Sequence, residues 1–249
     1  DKVICSCIPK SKNTTSNSIF DINNKKINYG QIFTFGDHVI VNQKKLIFKP
    51  EYIKEIDASL FGCAIPTGAG LILNNLKKFK ITDRIAVIGA GGVGLSSILT
   101  LKYLKCKKIY IFENDFNKIK ILKKIGFKKI YQLDKKNLIK FRNYFDYCFE
   151  TAGSVNTIEL GFKIINENKG KLFFASHPDS NYKIKISPHD LIKGKQIIGS
   201  WAGGVKNSQD FKKIFEIFKK IKNLNQIFTT KYKFKNINKA ISDYEINKC

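Results

Sequence analysis

Three glycines and one acid in the middle of the chain have the spacing of a phosphate cradle. Gly89, Gly91 and Gly94 fit G-x-G-x-x-G, and Glu113 follows 19 residues after the last of them. Glycine at 89 permits a tight turn off a strand, where a side chain would clash. Glycine at 91 lets the backbone approach a pyrophosphate, and glycine at 94 lets a helix pack closely against the strand. Gly92 and Val93 fall at the helix start, where unpaired N–H groups and the helix dipole favour negative charge. Glu113 has the chemistry to accept both hydroxyls of an adenosine ribose, and its charge repels a 2′-phosphate. No basic residue directly follows it; Lys118 stands about one turn into the next helix, at the ribose edge. The pattern predicts a dinucleotide site that prefers NAD(H) to NADP(H).

A glycine-rich turn in an ordinary βαβ unit is the plainer alternative. The elements around the glycines favour the nucleotide site, because strand, glycines, helix, strand and acid occur in that order. Residues 85–88 are an apolar strand, Leu95, Ile98, Leu99, Leu101 and Leu104 mark a helix, and residues 108–112 are a second strand ending at the acid. Further on, helical periodicity at 116–125 precedes a third strand at 129–132 and a fourth at 147–150. A helix at 155–165, strands at 171–176 and 196–201, and helices at 210–221 and 237–244 complete the run. Strands alternating with helices predict an α/β fold with a doubly wound parallel sheet. Upstream, residues 2–8, 32–41 and 46–49 are expected as strands and 9–30 as a polar loop. A helix entry is expected at 53–62 and a helix at 71–80.

The net charge of +25 raises nucleic acid as a partner, but only Arg84 and Arg142 are arginine, and the lysines are spread along the chain. Nucleic-acid surfaces cluster their charge and use arginine for bidentate contacts, so no nucleic-acid partner is expected. No apolar run approaches the about 20 residues needed to span a bilayer, and no membrane partner is expected. The six cysteines, Cys5, Cys7, Cys63, Cys106, Cys148 and Cys249, show neither a C-x-x-C pair nor a disulfide framework. That suits a reducing, cytoplasmic setting.

Six segments together resemble the medium-chain, zinc-dependent alcohol dehydrogenases over nearly the whole chain. They are GCAIPTGAG at 62–70, IGAGGVG at 88–94, Glu113 with Lys118, DYCFETAG at 146–153, FFASHPDS at 173–180 and IIGSWAGGVK at 197–206. Within that family the nearest groups are the alcohol and S-(hydroxymethyl)glutathione dehydrogenases. The resemblance implies a Rossmann NAD-binding domain at 65–201, remnants of a GroES-like β catalytic domain at 1–64, and a return segment at 202–249. It places Cys63 at a catalytic zinc ligand and Thr67 against the nicotinamide. Gly91, Gly92 and Val93 would cradle the pyrophosphate, Glu113 and Lys118 the adenosine ribose. Thr151 would belong to the cofactor set, and backbone at Phe174–Ser176 and at Ser200–Ala202 would hold the nicotinamide. The alternative for Cys63 is a buried structural thiol.

The departures from the family are as informative. Catalytic zinc needs three protein ligands and an open fourth position, and the family's other two, a Cys-x-Ser/Thr and a Gly-His-Glu, do not occur here. His38, expected in a strand, His177, and His189, expected in a turn, belong to no such motif. Ser11, Thr14 and Asn17 stand where structural-zinc members carry cysteines, so no structural zinc is expected. The chain thus resembles a piece of such an enzyme, truncated at both ends. The implied reaction is hydride transfer between a small alcohol or aldehyde and NAD, in a homodimer or homotetramer paired at the sixth-strand edge near Trp201. The alternatives are an inactive NAD(H)-binding remnant and a zinc-free quinone or enoyl reductase of the same superfamily. Members of that last group usually lack a cysteine at the Cys63 position and prefer NADP(H).

Overall fold

The computed structural model describes residues 2–6, 19–28, 38–39, 41–221, 224 and 230–245. Near its amino end lie two antiparallel pairs, β1 (Val3–Cys5) with β4 (Leu46–Phe48) and β2 (Ile19–Ile22) with β3 (Lys25–Asn28). The β2–β3 hairpin occupies a stretch whose polarity predicts only loop. Asn23 and Asn24 close it at φ of 52° and 61°. A two-residue turn with both φ positive matches the twist of paired strands, and Asn tolerates that conformation better than most residues.

Two helices follow, α1 (Glu55–Ala58) and α2 (Ala64–Asn75). Strands and helices then alternate through β5 (Arg84–Ile88), α3 (Gly92–Tyr103), β6 (Lys108–Phe112), α4 (Phe116–Lys124), β7 (Ile130–Tyr131) and α5 (Lys135–Lys140). The second half runs through β8 (Tyr147–Glu150), α6 (Val155–Ile164), β9 (Lys171–Phe174), α7 (Pro188–Ile192), β10 (Gln196–Gly199) and α8 (Ser208–Lys219), with α9 (Ile237–Glu245) last. Six strands form one parallel sheet in the order β10-β9-β8-β5-β6-β7. This is the doubly wound sheet that the alternation predicts, with all six expected strands in it. The chain builds outward from β5 to β7, then crosses back to β8 on the other side of β5. Sheets of this kind take ligands at the carboxyl ends of the strands beside such a reversal.

Alternation along the strands divides the interior in two. Ile85 and Val87 of β5 enter one core with Phe149 and Phe173; Ala86 and Ile88 enter the other with Cys148 and Leu172. Successive strand residues face opposite ways, and a parallel sheet covered by helices on both faces buries both sets. Among the described residues no single helix is long and apolar enough to cross a membrane. The one bent pair that passes the same test, Glu55–Gly62 with Ala64–Asn75, buries Phe61, Ile65, Leu71 and Ile72 in the core.

Helix α2 departs from the expected 71–80: it begins at Ala64 and ends at Asn75. Pro66 lies in its first turn, where the missing N–H costs no hydrogen bond. Gly68 and Gly70, which weaken a helix in isolation, are required by close packing. A β-carbon at 68 would lie 2.1 Å from the Val93 carbonyl oxygen of α3, and one at 70 would lie 2.4 Å from Val205 Cγ2. Ser96 and Ser97 of α3 donate their hydroxyls to the carbonyls of Ile65 and Gly68, at 2.7 and 2.9 Å.

His189 lies inside α7, not in a turn; Pro188 takes the first helical position and Ser187 caps it. His38 occupies an exposed bend, and most of the expected 32–41 strand lies outside the described residues, as do the end of the 2–8 strand and Ser11, Thr14 and Asn17.

Candidate functional site

The turn between β5 and α3 is built tightly on one side and open on the other. Gly89 has φ +86°, and a β-carbon there would meet the Ala152 backbone at 2.9 Å. A β-carbon at Gly94 would lie 2.1 Å from the Gly89 carbonyl oxygen and 2.6 Å from Thr151 Oγ1. At Gly91, the residue preceding α3, nothing stands within 4 Å of that position. Glycine is thus forced at 89 and 94 by packing. At 91 it leaves a free space at the start of a 12-residue helix, where backbone N–H groups favour an anion.

Glu113 closes the turn from β6 and is 7% exposed. Its Oε2 accepts the Ala90 N–H at 2.7 Å, and its Oε1 accepts the N–H groups of Asn114 and Asp115 at 2.7 and 2.9 Å. Oε2, with one donor against two on Oε1, keeps the larger acceptor capacity for an incoming hydroxyl. Asp115 caps α4 by accepting from Asn117 and Lys118 N–H, which sets Lys118, half-buried, in the first turn of that helix.

On the other side of β5, Thr151 turns its hydroxyl inward. It donates to the carbonyls of Ile88 and Gly89 at 2.9 and 3.0 Å, bracing the glycine turn. Phe174 ends β9, and its carbonyl accepts the Ser200 N–H at 2.8 Å, so the two expected nicotinamide segments lie side by side. Beyond Ser200 the 3-10 turn Trp201–Gly204 carries Ala202 at φ 51°, followed by Gly203 and Gly204 at 67° and 71°. Asn74 Nδ2 donates to the Gly203 carbonyl at 2.8 Å, and a β-carbon on Gly203 would sit 2.2 Å from the Thr67 carbonyl oxygen. Helix α2 thus brings the buried Thr67 against the Ala202 turn. Its first residue, Ala64, approaches the glycine turn, 3.1 Å from a β-carbon placed on Gly92. Cys63 immediately precedes that helix and is exposed, not a buried thiol.

The structure therefore gathers the glycine turn, Glu113, Thr151, Phe174, Ser176, Ser200, Ala202 and Thr67 along the carboxyl edge of one sheet. The residues present fit a dinucleotide. They do not fit a catalytic zinc: among the described residues no group of three or more His, Cys, Asp or Glu comes together. Trp201 is exposed beside the edge strand β10, with the His177 ring perpendicular to it at 4.5 Å. One acid escapes the sequence pattern. Glu150, fully buried at the end of β8, accepts four hydrogen bonds, including those from Ala152 and Gly153 N–H at 2.8 and 2.9 Å. Its only signal in sequence is an acid ending an apolar strand before Thr-Ala-Gly. Burial pushes the neighbouring Cys148 thiol well up, and the Glu150 charge adds to it, which leaves that thiol inert.

Residues 92–220 match the family model described as zinc-binding dehydrogenase. The chain is similar to the class-3 alcohol dehydrogenase of Drosophila melanogaster, 29% identical over 217 residues that cover 83% of this chain and 57% of that protein. It is also similar to the probable S-(hydroxymethyl)glutathione dehydrogenase 1 of Schizosaccharomyces pombe, 23% identical over 230 residues, covering 90% of this chain and 61% of the relative. Among solved structures, benzyl alcohol dehydrogenase from Acinetobacter calcoaceticus superposes with a TM-score of 0.69 at 21% identity, over 83% of this chain and 58% of the other. An alcohol dehydrogenase from Thermotoga maritima gives 0.70 at 16% identity, over 82% and 58%. At those identities the likeness shows the fold. The chain spans about three-fifths of the length of the curated relatives it matches.

Proposed function

The chain belongs to the zinc-binding dehydrogenase family, and from that premise we propose that it is the NAD(H)-binding part of an oxidoreductase acting on a small alcohol or aldehyde. The single observation that carries the cofactor assignment is the free space over Gly91, at the start of α3, between glycines whose own neighbours leave no room. Gly91, Gly92 and Val93 hold the pyrophosphate by backbone N–H groups. Oε2 of Glu113 accepts a ribose hydroxyl, with Lys118 at the same edge. Thr67 packs against the nicotinamide, and backbone at residues 174–176 and 200–202 fixes its face and orientation.

When bound, the nicotinamide exchanges a hydride with the substrate carbon. The protein's own part is to bind and orient: it keeps the ring at a fixed angle over the crevice, so that a reacting carbon meets it in one geometry. No step is assigned to zinc, because Cys63 is the only family ligand position filled among the described residues. We place residues 65–201 as the cofactor domain, with 1–64 and 202–249 belonging to the catalytic domain. Cytoplasmic location and pairing of copies along β10 near Trp201 belong to the same proposal.

Titration with NADH, followed by energy transfer from Trp201, with NADPH in parallel, tests it. Tight NADH binding and weak NADPH binding are expected. Failure to bind either removes the cofactor assignment.

A further inference from the structure

Glu150 is a buried acid that the cofactor set does not include. Its Oε1 accepts Ala152 N–H at 2.8 Å, Gly153 N–H at 2.9 Å and Thr157 Oγ1 at 2.8 Å, and its Oε2 accepts the Ser176 hydroxyl. One carboxylate thereby joins four pieces of backbone: the end of β8, the turn after it, the first turn of α6 and the segment leaving β9. Every contact is a donor, so no oxygen of this buried group lacks a partner.

Topology says what that junction is for. Glu113 ends β6, on one side of β5; Ser176 follows β9, on the other side and beyond β8. A dinucleotide with its pyrophosphate at Gly91 and its ribose at Glu113 must lay its second half across the ends of β8 and β9. There it meets the backbone of residues 174–176. Beyond Phe174 the chain leaves the sheet, and the Ser176 side chain ties it back to β8 through Glu150. We infer that Glu150 is a positioning residue for the nicotinamide half of the cofactor, acting through Ser176. The inference rests on the NAD(H) assignment above.

The test is calorimetric titration of the full chain with NADH and with ADP-ribose, which shares the adenosine and pyrophosphate but lacks nicotinamide. Ser176→Ala removes the tether while keeping every main-chain group of residues 174–176. NADH affinity should fall about tenfold, as for one lost hydrogen bond to a buried charge, while ADP-ribose affinity stays within about twofold. Ser176→Thr keeps a hydroxyl and should restore NADH binding. In the Glu150→Ala and Ser176→Ala double variant, NADH should bind no more weakly than in Glu150→Ala alone, because the two side chains act through each other.

Equal losses for both ligands, no loss in Ser176→Ala, no recovery in Ser176→Thr, or independent losses that multiply in the double variant would each overturn the inference. If Glu150→Ala does not fold, the two serine variants decide the matter alone. An unaltered chain that binds neither ligand defeats the NAD(H) assignment itself, an outcome separate from any pattern among the variants.

Discussion

The Glu113 carboxylate accepts the Ala90 N–H at 2.7 Å, so the acid that ends β6 holds the turn that ends β5. The proposed ribose acceptor therefore also holds the shape of the glycine turn.

That sharing sets the behaviour of Glu113→Ala. Three backbone N–H groups lose their acceptor, at a cost of about 1–3 kcal/mol. For a chain of this size each kcal/mol lowers the melting temperature by about 2–4 °C. NADH affinity should fall and discrimination against NADPH should relax. Thermal melts and paired titrations check both parts; unchanged affinity for both cofactors would sink the ribose assignment.

Gly91→Val and Gly94→Ala should fail in different ways. The space beyond Gly91 is open, so valine should leave the melting temperature near that of the parent and abolish NADH binding. At Gly94 even a methyl group would lie 2.1 Å from the Gly89 carbonyl oxygen, and the protein should lose stability by about 1–3 kcal/mol or more. Circular dichroism melts beside NADH titration separate the two; an NADH-competent Gly91→Val would remove the pyrophosphate from this turn.

Asp146 predicts part of the acid limb of stability. Burial by itself pushes its carboxyl up, but the Arg84 N–H, the Arg84 guanidinium and the Asn166 amide together hold it below the usual range. A carboxyl with a depressed folded-state pKa binds fewer protons folded than unfolded. Its contribution is complete above the ordinary value of 3.8 and is lost as pH falls through the depressed value. Asp146→Asn should be less stable than the parent at neutral pH, and the gap should close as pH falls below 3.8. A constant gap in denaturant midpoints across that window would remove the linkage.

Metal content is a direct check on Cys63. Zinc held by protein takes at least three ligands, and no such group assembles among the described residues. Purified chain dialysed against buffer should carry clearly less than one zinc per molecule by elemental analysis. One zinc per chain would show that residues outside the described set complete a site.

The sheet was legible in sequence because its strands are short apolar runs bounded by glycines, acids and polar turns, and because the glycine spacing fixes where β5 stops. Helix α2 was placed too late, since Pro66, Gly68 and Gly70 are weak helix formers and only contacts with α3 and the Trp201–Gly204 turn show why they are there. The β2–β3 hairpin was lost in polarity, its Asn-Asn turn being one of many asparagine-rich stretches. Glu113 was found by spacing, but its bonds to Ala90, Asn114 and Asp115 belong to tertiary structure. Glu150 carries no local signal, because burial and donors from three separate segments leave no pattern in sequence. Lys195 was passed over likewise: its amine is buried and donates to Asn143 Oδ1 at 2.8 Å and to the Phe162 carbonyl at 3.2 Å, yet nothing marks one lysine in a chain so rich in them.

Gly68 and Gly70 leave α2 without side chains on the two flanks where it touches α3 and the Trp201–Gly204 turn. The Val93 carbonyl closes the space at Gly68, and the Val205 side chain and the Gly203 carbonyl close it at Gly70. Such a helix behaves as a splint: it cannot roll or slide without driving into a carbonyl on one flank or the other. For the proposed cofactor, such a splint would keep the pyrophosphate end and the nicotinamide end at a constant separation: a ligand of fixed length would meet a frame of fixed length.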